Sequence, residues 1–241
     1  MRNISQFERD FEDLVKVFPK LRFFKAEKCW RIDGELDICD LNGCYWGTFK
    51  ITLKVSLSYP YCVPVLYETS HLIPRMLDNH IDESGMCCVD IPHKLIFQSK
   101  RGISLLSFFT KWVYPYFANQ LYRQHENKYA GQEYAHRFEG VKQFYQEDLY
   151  LNREGAFNML QAILASRSIG RNAACPCCSG KKLKRCHQQS YDLLKSVGKE
   201  ILSSDLQGFK NACMGELDNE KKYCESVLVI QVFIWYMSVP G

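Results

Sequence analysis

The hydrophobic residues of this chain follow two different periods, and each period predicts its own kind of element. Near the amino terminus they recur at spacings of three and four, as on the apolar face of a helix: Ile4, Phe7, Phe11, Leu14, Val15 and Phe18. Ser5 and Glu8 have the spacing of a capping box, and Pro19 cannot continue a helix. The pattern predicts an amphipathic helix that opens at Ser5 and ends before Pro19.

From Trp30 onward the period falls to two. Hydrophobic residues alternate with charged or polar ones in the runs 30–38 and 49–57, and the turn sequence Asp-Leu-Asn-Gly at 40–43 lies between them. This alternation predicts an antiparallel hairpin with one face in the core and the other in water. Residues 21–27 and 63–68 are candidates for a preceding and a following strand, which gives a meander of about four strands.

Helical spacing returns after residue 100. Ser104 can cap a helix, and Pro115 forces a kink or a break in it. Further helices are predicted over His136–Leu149, Glu154–Ala165 and Gln188–Ser203. A helix followed by an antiparallel meander and then by more helices is an α+β fold.

The bulk composition favours a globular protein without a membrane span. A length of 241 residues with 46% hydrophobic content suits one sizeable core plus a small appendage. The net charge of +4 is too weak to indicate a nucleic-acid partner. No signal peptide is visible, and the apolar stretch Val227–Val239 is shorter than the roughly 20 residues of a spanning helix. A cytoplasmic protein is therefore expected, with the apolar stretch as a strand or a packed tail.

Twelve cysteines are many for this length. In a cytoplasmic protein, clustered cysteines indicate a metal site or catalysis rather than disulfides. Four of them lie within 175–186 and two form the pair Cys87-Cys88. The other six are predicted to be small core or surface residues: Cys29, Cys39, Cys44, Cys62, Cys213 and Cys224.

The first cluster has the spacing of a zinc site. Cys175, Cys177, Cys186 and His187 offer four ligands within thirteen residues, which completes a tetrahedral set. A closed set of four protein ligands is typical of structural rather than catalytic zinc. So small a unit has almost no core of its own, and Zn²⁺ would supply most of its folding free energy.

The second cluster lies at the end of a polar loop that contains glycine. Cys88 is the candidate nucleophile, since a thiolate can hold an acyl group as a thioester that stays reactive toward amines. His80 can donate a hydrogen bond or move a proton, and Gly85 lets the backbone turn sharply before the thiol. Spacing alone leaves a structural Cys-Cys pair at a buried strand end as the alternative.

This region resembles the active-site segment of ubiquitin-conjugating enzymes. Tyr59-Pro60 followed by Pro64 is similar to the family's Tyr-Pro…Pro-Pro segment, with Val63 at the first paired proline. Residues 81–91 (Ile-Asp-Glu-Ser-Gly-Met-Cys-Cys-Val-Asp-Ile) are similar to its Ile-Asp-x-x-Gly-x-Ile-Cys-Leu-Asp-Ile run. The resemblance covers about half of the chain, roughly residues 5–120. It implies a four-stranded meander flanked by helices, with Cys88 as the cysteine that carries a modifier protein.

The chain also departs from that family. Asp78-Asn79-His80 stands where eukaryotic members have His-Pro-Asn, so a histidine takes the place of the asparagine that supports the oxyanion. Bacterial relatives have this arrangement. Residues 131–136 with Gly140 also look like the bacterial branch, and for His136 two roles stay open: an approach to the thiol, or a helix cap.

Residues 170–187 closely resemble the SEC-C zinc motif, familiar from the tail of the bacterial preprotein translocase ATPase. The motif usually has glycine where Cys178 stands, so Cys178 is left out of the ligand set. The resemblance implies a bacterial source and docking to a protein partner, with the basic run 181–185 facing an acidic surface.

Together the two resemblances imply a bacterial ubiquitin-conjugating-like transferase. Cys88 would carry the C-terminus of another protein as a thioester and pass it to an amine. Bacterial relatives occur in anti-phage (CBASS-type) operons, so the implied partner is a protein with a C-terminal glycine, either a cGAS-like nucleotidyltransferase or a ubiquitin-like protein. The chain has no glycine-rich nucleotide-binding loop, and a separate activating enzyme or a pre-activated partner is expected.

The alternative is a catalytically inactive adaptor of the same fold with a zinc docking module. In either case the predicted organisation is a ubiquitin-conjugating-like domain at 1–150, a helical linker at 151–169, the zinc motif at 170–190 and a helical and apolar tail at 191–241.

Overall fold

A computed structural model describes residues 4–126, 128, 130, 137–165 and 168–214. The predictions for His136, Cys224 and Val227–Val239 lie outside these residues. Within them the chain forms two compact units. The first comprises 4–90, 94–126, 128 and 130, and the second comprises 91–93, 137–165 and 168–214.

Helix α1 (Ile4–Val17) opens the first unit. It begins at Ile4, so Ser5 lies inside the first turn rather than before it, whereas the predicted end before Pro19 is confirmed. Phe7 and Leu14 are fully buried on its apolar face. The 3.6-residue period of the hydrophobic positions thus places one side of α1 in the core.

The predicted meander is confirmed. Strands β1 (Leu21–Lys25), β2 (Cys29–Cys39), β3 (Tyr45–Ser56) and β4 (Val65–Glu68) form one antiparallel sheet in the order β1-β2-β3-β4. Alternate residues of the two long strands are buried in the core, as period-two patterning requires: Trp30, Ile32, Leu36, Ile38, Phe49, Ile51, Leu53 and Val55.

After β4 the first unit returns to helix. A short 3₁₀ turn (Leu77–Asn79) is followed along the chain by α2 (Pro92–Ser99), whose residues from Lys94 onward belong to the first unit. Ser104 caps α3 (Leu105–Phe108) by accepting a hydrogen bond from the Ser107 amide at 3.3 Å.

The kink predicted at Pro115 takes the form of a π-helical turn. Residues Phe109–Val113 form this turn between α3 and α4 (Tyr114–Glu126), and the Tyr114 amide donates to the Phe109 carbonyl. Proline has no N–H with which to continue the normal ladder, and the turn before it is widened.

The second unit is helical. It contains α5 (Arg137–Glu147), α6 (Arg153–Leu164), a 3₁₀ turn (Leu183–Arg185), α7 (Gln188–Val197) and α8 (Lys199–Met214). The helical structure predicted over 188–203 is confirmed, but it is divided at Gly198, which has φ of +112° and ends α7. A new helix then starts at Lys199 and runs to Met214.

The α+β class follows from the sheet of the first unit and its flanking helices. The four domain bounds drawn from the sequence stay a prediction. Among the helices that the structure describes, none has both the length and the apolar character needed to cross a bilayer.

Candidate metal centre and thiol site

The four predicted zinc ligands come together in the second unit. The sulfurs of Cys175, Cys177 and Cys186 and a ring nitrogen of His187 all lie within 4.8 Å of one another. The Cys177 and Cys186 sulfurs are 3.5 Å apart, and His187 Nδ1 lies 3.5 Å from the Cys175 sulfur and 3.2 Å from the Cys186 sulfur. Tetrahedral zinc with its usual bond lengths has edges of about 3.8 Å between sulfurs and about 3.5 Å between sulfur and nitrogen. The three distances are close to these edges, and the donor atoms are those that zinc prefers.

Tight turns between the two pairs of ligands close this arrangement. The Cys175 amide donates to the Lys181 carbonyl at 2.9 Å, and the Leu183 amide donates to the Ala173 carbonyl at 2.9 Å. Leu183 is fully buried and anchors the 3₁₀ turn that delivers Cys186. Small hydrogen-bonded turns and a single buried leucine thus hold the ligands, with the rest of the folding free energy left to the metal.

A contact outside the motif fixes the tautomer of His187. Its Nε2 lies 3.0 Å from the carbonyl oxygen of Tyr150, which can only accept a hydrogen bond. The proton is therefore on Nε2, and the lone pair of Nδ1 faces the sulfurs as a ligand requires. Tyr150 has φ of +56°, a left-handed conformation that is uncommon for tyrosine. Sequence analysis missed Tyr150, because its backbone oxygen rather than its side chain makes the contact.

The pKa values of two of the three thiols are shifted in opposite directions. Burial raises the pKa of Cys175 from its ordinary value of 9.0 to about 12. Burial also acts against ionisation of Cys177, but hydrogen bonds from Ser179 and from the neighbouring thiols outweigh it and lower its pKa to about 6. A divalent cation at the centre would supply the positive charge that allows all three to ionise. We infer that Cys175, Cys177, Cys186 and His187 would hold Zn²⁺ as a structural ion.

Cys178 is not one of the four converging ligands. It is exposed, and its sulfur accepts a hydrogen bond from the Asn158 amide at 3.4 Å. Its φ of +63° lies in the left-handed region, where only glycine is unstrained. The glycine that is usual at this place of the motif thus has a conformational reason.

The net positive charge of the chain lies in residues 168–190, which we call the zinc segment. Residues 168–190 hold five of the 31 lysines and arginines and none of the 27 aspartates and glutamates, so the rest of the chain has a formal charge of −1. All five side chains are exposed: Arg171, Lys181, Lys182, Lys184 and Arg185. The segment therefore presents a basic surface.

The candidate thiol lies in the first unit, on the segment that follows β4. Cys87 is 5% exposed and its amide donates to the Leu66 carbonyl of β4 at 2.8 Å. Cys88 is half-buried, with its sulfur 3.8 Å from the carbonyl oxygen of Asp90. Burial raises the pKa of Cys87 well above the ordinary range of a thiol, which keeps it protonated and inert. Of the two neighbours, Cys88 is the accessible one.

The turn before the thiol depends on Gly85. Its φ is +84°, and a Cβ at this position would lie 2.6 Å from the carbonyl oxygen of Glu68. The Glu68 amide donates to the Gly85 carbonyl at 2.8 Å, which ties the turn to the end of β4. Asp82 completes the turn by accepting from the Met86 amide at 2.8 Å. A side chain at position 85 would push the loop off the sheet.

His80 and Cys88 meet through their backbones. The Cys88 amide donates to the His80 carbonyl at 2.8 Å, beside a β-bridge between Ile81 and Cys87. His80 has φ of +52° and a half-buried side chain. The side-chain role predicted for His80 stays a prediction.

Sequence analysis missed other groups around the thiol. The Trp112 indole N–H donates to the Asp90 carboxylate at 3.0 Å, and the α4 residues Tyr116, Gln120 and Arg123 donate to the turn that ends in His80. The three α4 residues are distant from Cys88 in the sequence. The one sequence signal for them is that these polar residues recur at helical spacing on one face of α4. None of the ten cysteines whose side chains the structure describes is in a disulfide.

Comparison with known proteins identifies the zinc segment. Residues 171–189 match the family model described as the SEC-C motif, and this range contains all four converging ligands. No curated protein and no solved structure gives a significant match to the chain. The chain thus carries a SEC-C motif at 171–189, in agreement with the resemblance seen in the sequence.

Proposed function

We propose that this chain is a ubiquitin-conjugating-like acyl carrier, with Cys88 as the thiol that holds the C-terminus of another protein. One observation carries the proposal: Cys88 is half-buried and accessible, while Cys87 beside it is 5% exposed. A four-stranded antiparallel meander with a helix on each side in the sequence agrees with the fold that the resemblance implies.

The chemistry proceeds in two steps. The Cys88 thiolate attacks the carbonyl carbon of an activated C-terminus, a C–S bond forms, and the activating group leaves with its electron pair. An acceptor amine then attacks the same carbon, a C–N bond forms, and the sulfur leaves as thiolate while the amine proton passes to a base. The thiol is regenerated and no redox change occurs.

The groups around Cys88 are assigned to these steps by their chemistry. Gly85 and the His80 carbonyl hold the thiol segment, as described above. The His80 imidazole is proposed to donate a hydrogen bond to the oxyanion or to accept the amine proton, since a neutral imidazole has one nitrogen that donates and one that accepts. Asp90, fixed by Trp112, adds a carboxylate two residues from the sulfur.

The partners belong to the same proposal. The chain would act in the cytoplasm of a bacterium, in anti-phage defence. It would accept the C-terminal glycine of a cGAS-like nucleotidyltransferase or of a ubiquitin-like protein after a separate enzyme has activated that carboxyl group. The zinc segment, with its five exposed basic residues, would dock on an acidic surface of one of these partners.

An adduct assay tests the proposal. The chain is incubated with the candidate glycine-ended protein, its activating enzyme and ATP, and the products are separated without reductant. The expected product is an adduct that a thiol reagent removes. Cys88→Ser should give no reducible adduct and at most a stable ester. The exposed Cys44, at the hairpin turn, provides the matched control, and Cys44→Ser should behave like wild type. An adduct in Cys88→Ser that a thiol reagent still removes would disprove the proposal.

A second candidate is a catalytically silent adaptor. The observation that favours it is the concentration of positive charge in the zinc segment, which suits docking whether or not Cys88 reacts. The two candidates differ in one result. An adaptor binds its partner equally well with Cys88→Ser and never forms a reducible adduct, whereas a carrier loses the adduct and retains the docking.

A further inference from the structure

Helix α4 contacts the thiol segment through a stripe of polar side chains. Tyr116, Gln120 and Arg123 are spaced at four and three residues, so they lie on one face of the helix. Tyr116 and Gln120 are 8% and 3% exposed, and polar groups so deeply buried need hydrogen-bond partners. Their partners are the carbonyl groups of one short turn, residues 78–80.

The three side chains meet three consecutive carbonyls. Arg123 donates to the Asp78 carbonyl at 2.7 Å and also to the Asn79 side chain. Gln120 donates to the Asn79 carbonyl at 2.8 Å. The Tyr116 hydroxyl lies 3.1 Å from the Asn79 carbonyl and 3.2 Å from that of His80. The helix therefore holds the turn mainly through the backbone carbonyl groups of the turn, with one added contact to the Asn79 side chain.

The turn that these three side chains contact contains a residue with strained backbone. His80 has φ of +52°, a conformation that is unfavourable for histidine and persists only where the surroundings impose it. The carbonyl of His80 accepts from the Tyr116 hydroxyl and from the Cys88 amide at 2.8 Å. One oxygen atom thus links the helix to the residue that bears the candidate thiol.

The geometry points to Tyr116, Gln120 and Arg123 as positioning residues for the Cys88 sulfur. They fix the strained turn at 78–80, and the turn fixes Cys88 through the shared His80 oxygen. Their importance for acyl transfer rests on the proposed function, but the positioning itself is a property of this chain alone. Misplacement of a reacting atom by about 1 Å can slow a reaction by about a hundredfold, so a loosened turn should be visible in thiol reactivity.

The test measures alkylation of Cys88 in the folded full-length chain. Iodoacetamide labels the protein over a range of pH, and tandem mass spectrometry separates label on Cys88 from label on Cys87. Tyr116→Phe and Gln120→Met remove donors at nearly constant volume. Each variant should change either the limiting rate of Cys88 alkylation or the midpoint of its pH–rate profile. The rate of Cys88 alkylation should then differ by about fivefold or more from that of wild type.

Tyr114→Phe is the matched control. Tyr114 lies at the start of the same helix, and its hydroxyl also makes two backbone hydrogen bonds: it accepts from the Cys39 amide at 2.8 Å and donates to the Cys39 carbonyl at 2.9 Å. Removal of this hydroxyl in Tyr114→Phe should lower the melting temperature about as much as Tyr116→Phe does. The pH–rate profile of Cys88 alkylation should stay as in wild type. Arg123→Lys should retain the wild-type profile better than Arg123→Met, because lysine keeps a donor.

Two results would overturn the inference. One is a Cys88 profile like that of wild type in Tyr116→Phe, Gln120→Met and Arg123→Met alike. The other is an equal change in Tyr114→Phe, which would indicate general loosening. Arg123 is half-exposed, so Arg123→Met keeps the test decisive if a buried variant fails to fold. A wild-type chain that shows the expected labelling pattern but never forms a partner adduct refutes the proposed function and leaves the positioning role intact.

Discussion

His93 Nε2 and Asp205 Oδ2 lie 2.6 Å apart although the two residues are 112 positions apart in the sequence. Both side chains are almost completely buried in the second unit, and the Tyr145 hydroxyl donates to the same carboxylate oxygen at 2.8 Å. His93 Nδ1 meets no hydrogen-bond partner among the described residues. The carboxylate therefore holds the first residues of α2 against α5 and α8 within this unit.

Removal of the Asp205 carboxylate should destabilise the second unit strongly. Asp205→Ala leaves a buried imidazole and a buried hydroxyl without their acceptor, and we expect a loss of about 3 kcal/mol or more in the free energy of unfolding. Tyr145→Phe removes one hydrogen bond and should cost about 1 kcal/mol. Urea titration measures both. Asp192 is exposed, and Asp192→Ala is the control. Its free energy of unfolding should stay within about 0.5 kcal/mol of that of wild type.

Removal of the metal should unfold the zinc segment locally. We expect the purified chain to contain one zinc ion per molecule, and chelation to expose the amides of Cys175, Leu183 and Lys184, which are hydrogen-bonded across the turns. Hydrogen exchange measures this, with the amides of β2 and β3 as the protected reference. A chain that holds no metal, or whose zinc-segment amides are equally protected after chelation, would contradict the metal assignment.

Variants of two neighbouring cysteines sharpen the same assignment. Cys177→Ser should lose the metal, because it removes one of the four converging ligands. Cys178→Gly should keep it. The glycine should also relieve the strain at φ of +63°, and we expect the zinc-bound protein to gain up to about 1 kcal/mol in stability. Metal analysis and thermal melts distinguish the two, and metal loss from Cys178→Gly would show that the ligand set is wrong.

A pair of glycines tests the geometry of the thiol turn. Gly85 and Gly43 have nearly the same φ, +84° and +81°, but only Gly85 has atoms close to the position of a Cβ, with the Glu68 oxygen at 2.6 Å. Gly43→Ala should cost about 1 kcal/mol for backbone strain alone. Gly85→Ala should cost about 1–3 kcal/mol more, because the turn must move. Equal losses in urea titration would contradict this close approach to β4.

Stability should fall in alkaline solution because of buried thiols. Burial raises the pKa of Cys62 from 9.0 to about 12. Between these values the unfolded chain has lost the proton and the folded chain has kept it, so each pH unit above 9 lowers the free energy of unfolding by about 1.4 kcal/mol for this group. Below pH 9 the contribution is fully present. Urea titrations from pH 7 to the alkaline range should show the decline, and Cys62→Ala should make it less steep. If the free energy of unfolding of Cys62→Ala falls with pH as steeply as that of wild type, burial of this thiol is not the cause of the decline.

The main elements and the convergence of four candidate metal ligands could be predicted from the sequence alone. The period-two run of 30–38 and 49–57 specifies which face of β2 and β3 enters the core, because a strand alternates its side chains without help from other elements. The convergence of Cys175, Cys177, Cys186 and His187 could be predicted for a similar reason, since these residues lie within one short segment and the turns between them are local.

Contacts between segments that are distant in the sequence could not be predicted, because they form only when the whole chain has folded. Tyr116 reaches the carbonyl of His80 across 36 positions, His187 reaches that of Tyr150 across 37, and His93 reaches Asp205 across 112. Two of these acceptors are backbone oxygens, which every residue has, so no residue type marks them in the sequence. The break at Gly198 is of the same kind: glycine permits the left-handed conformation, but only packing in three dimensions selects it.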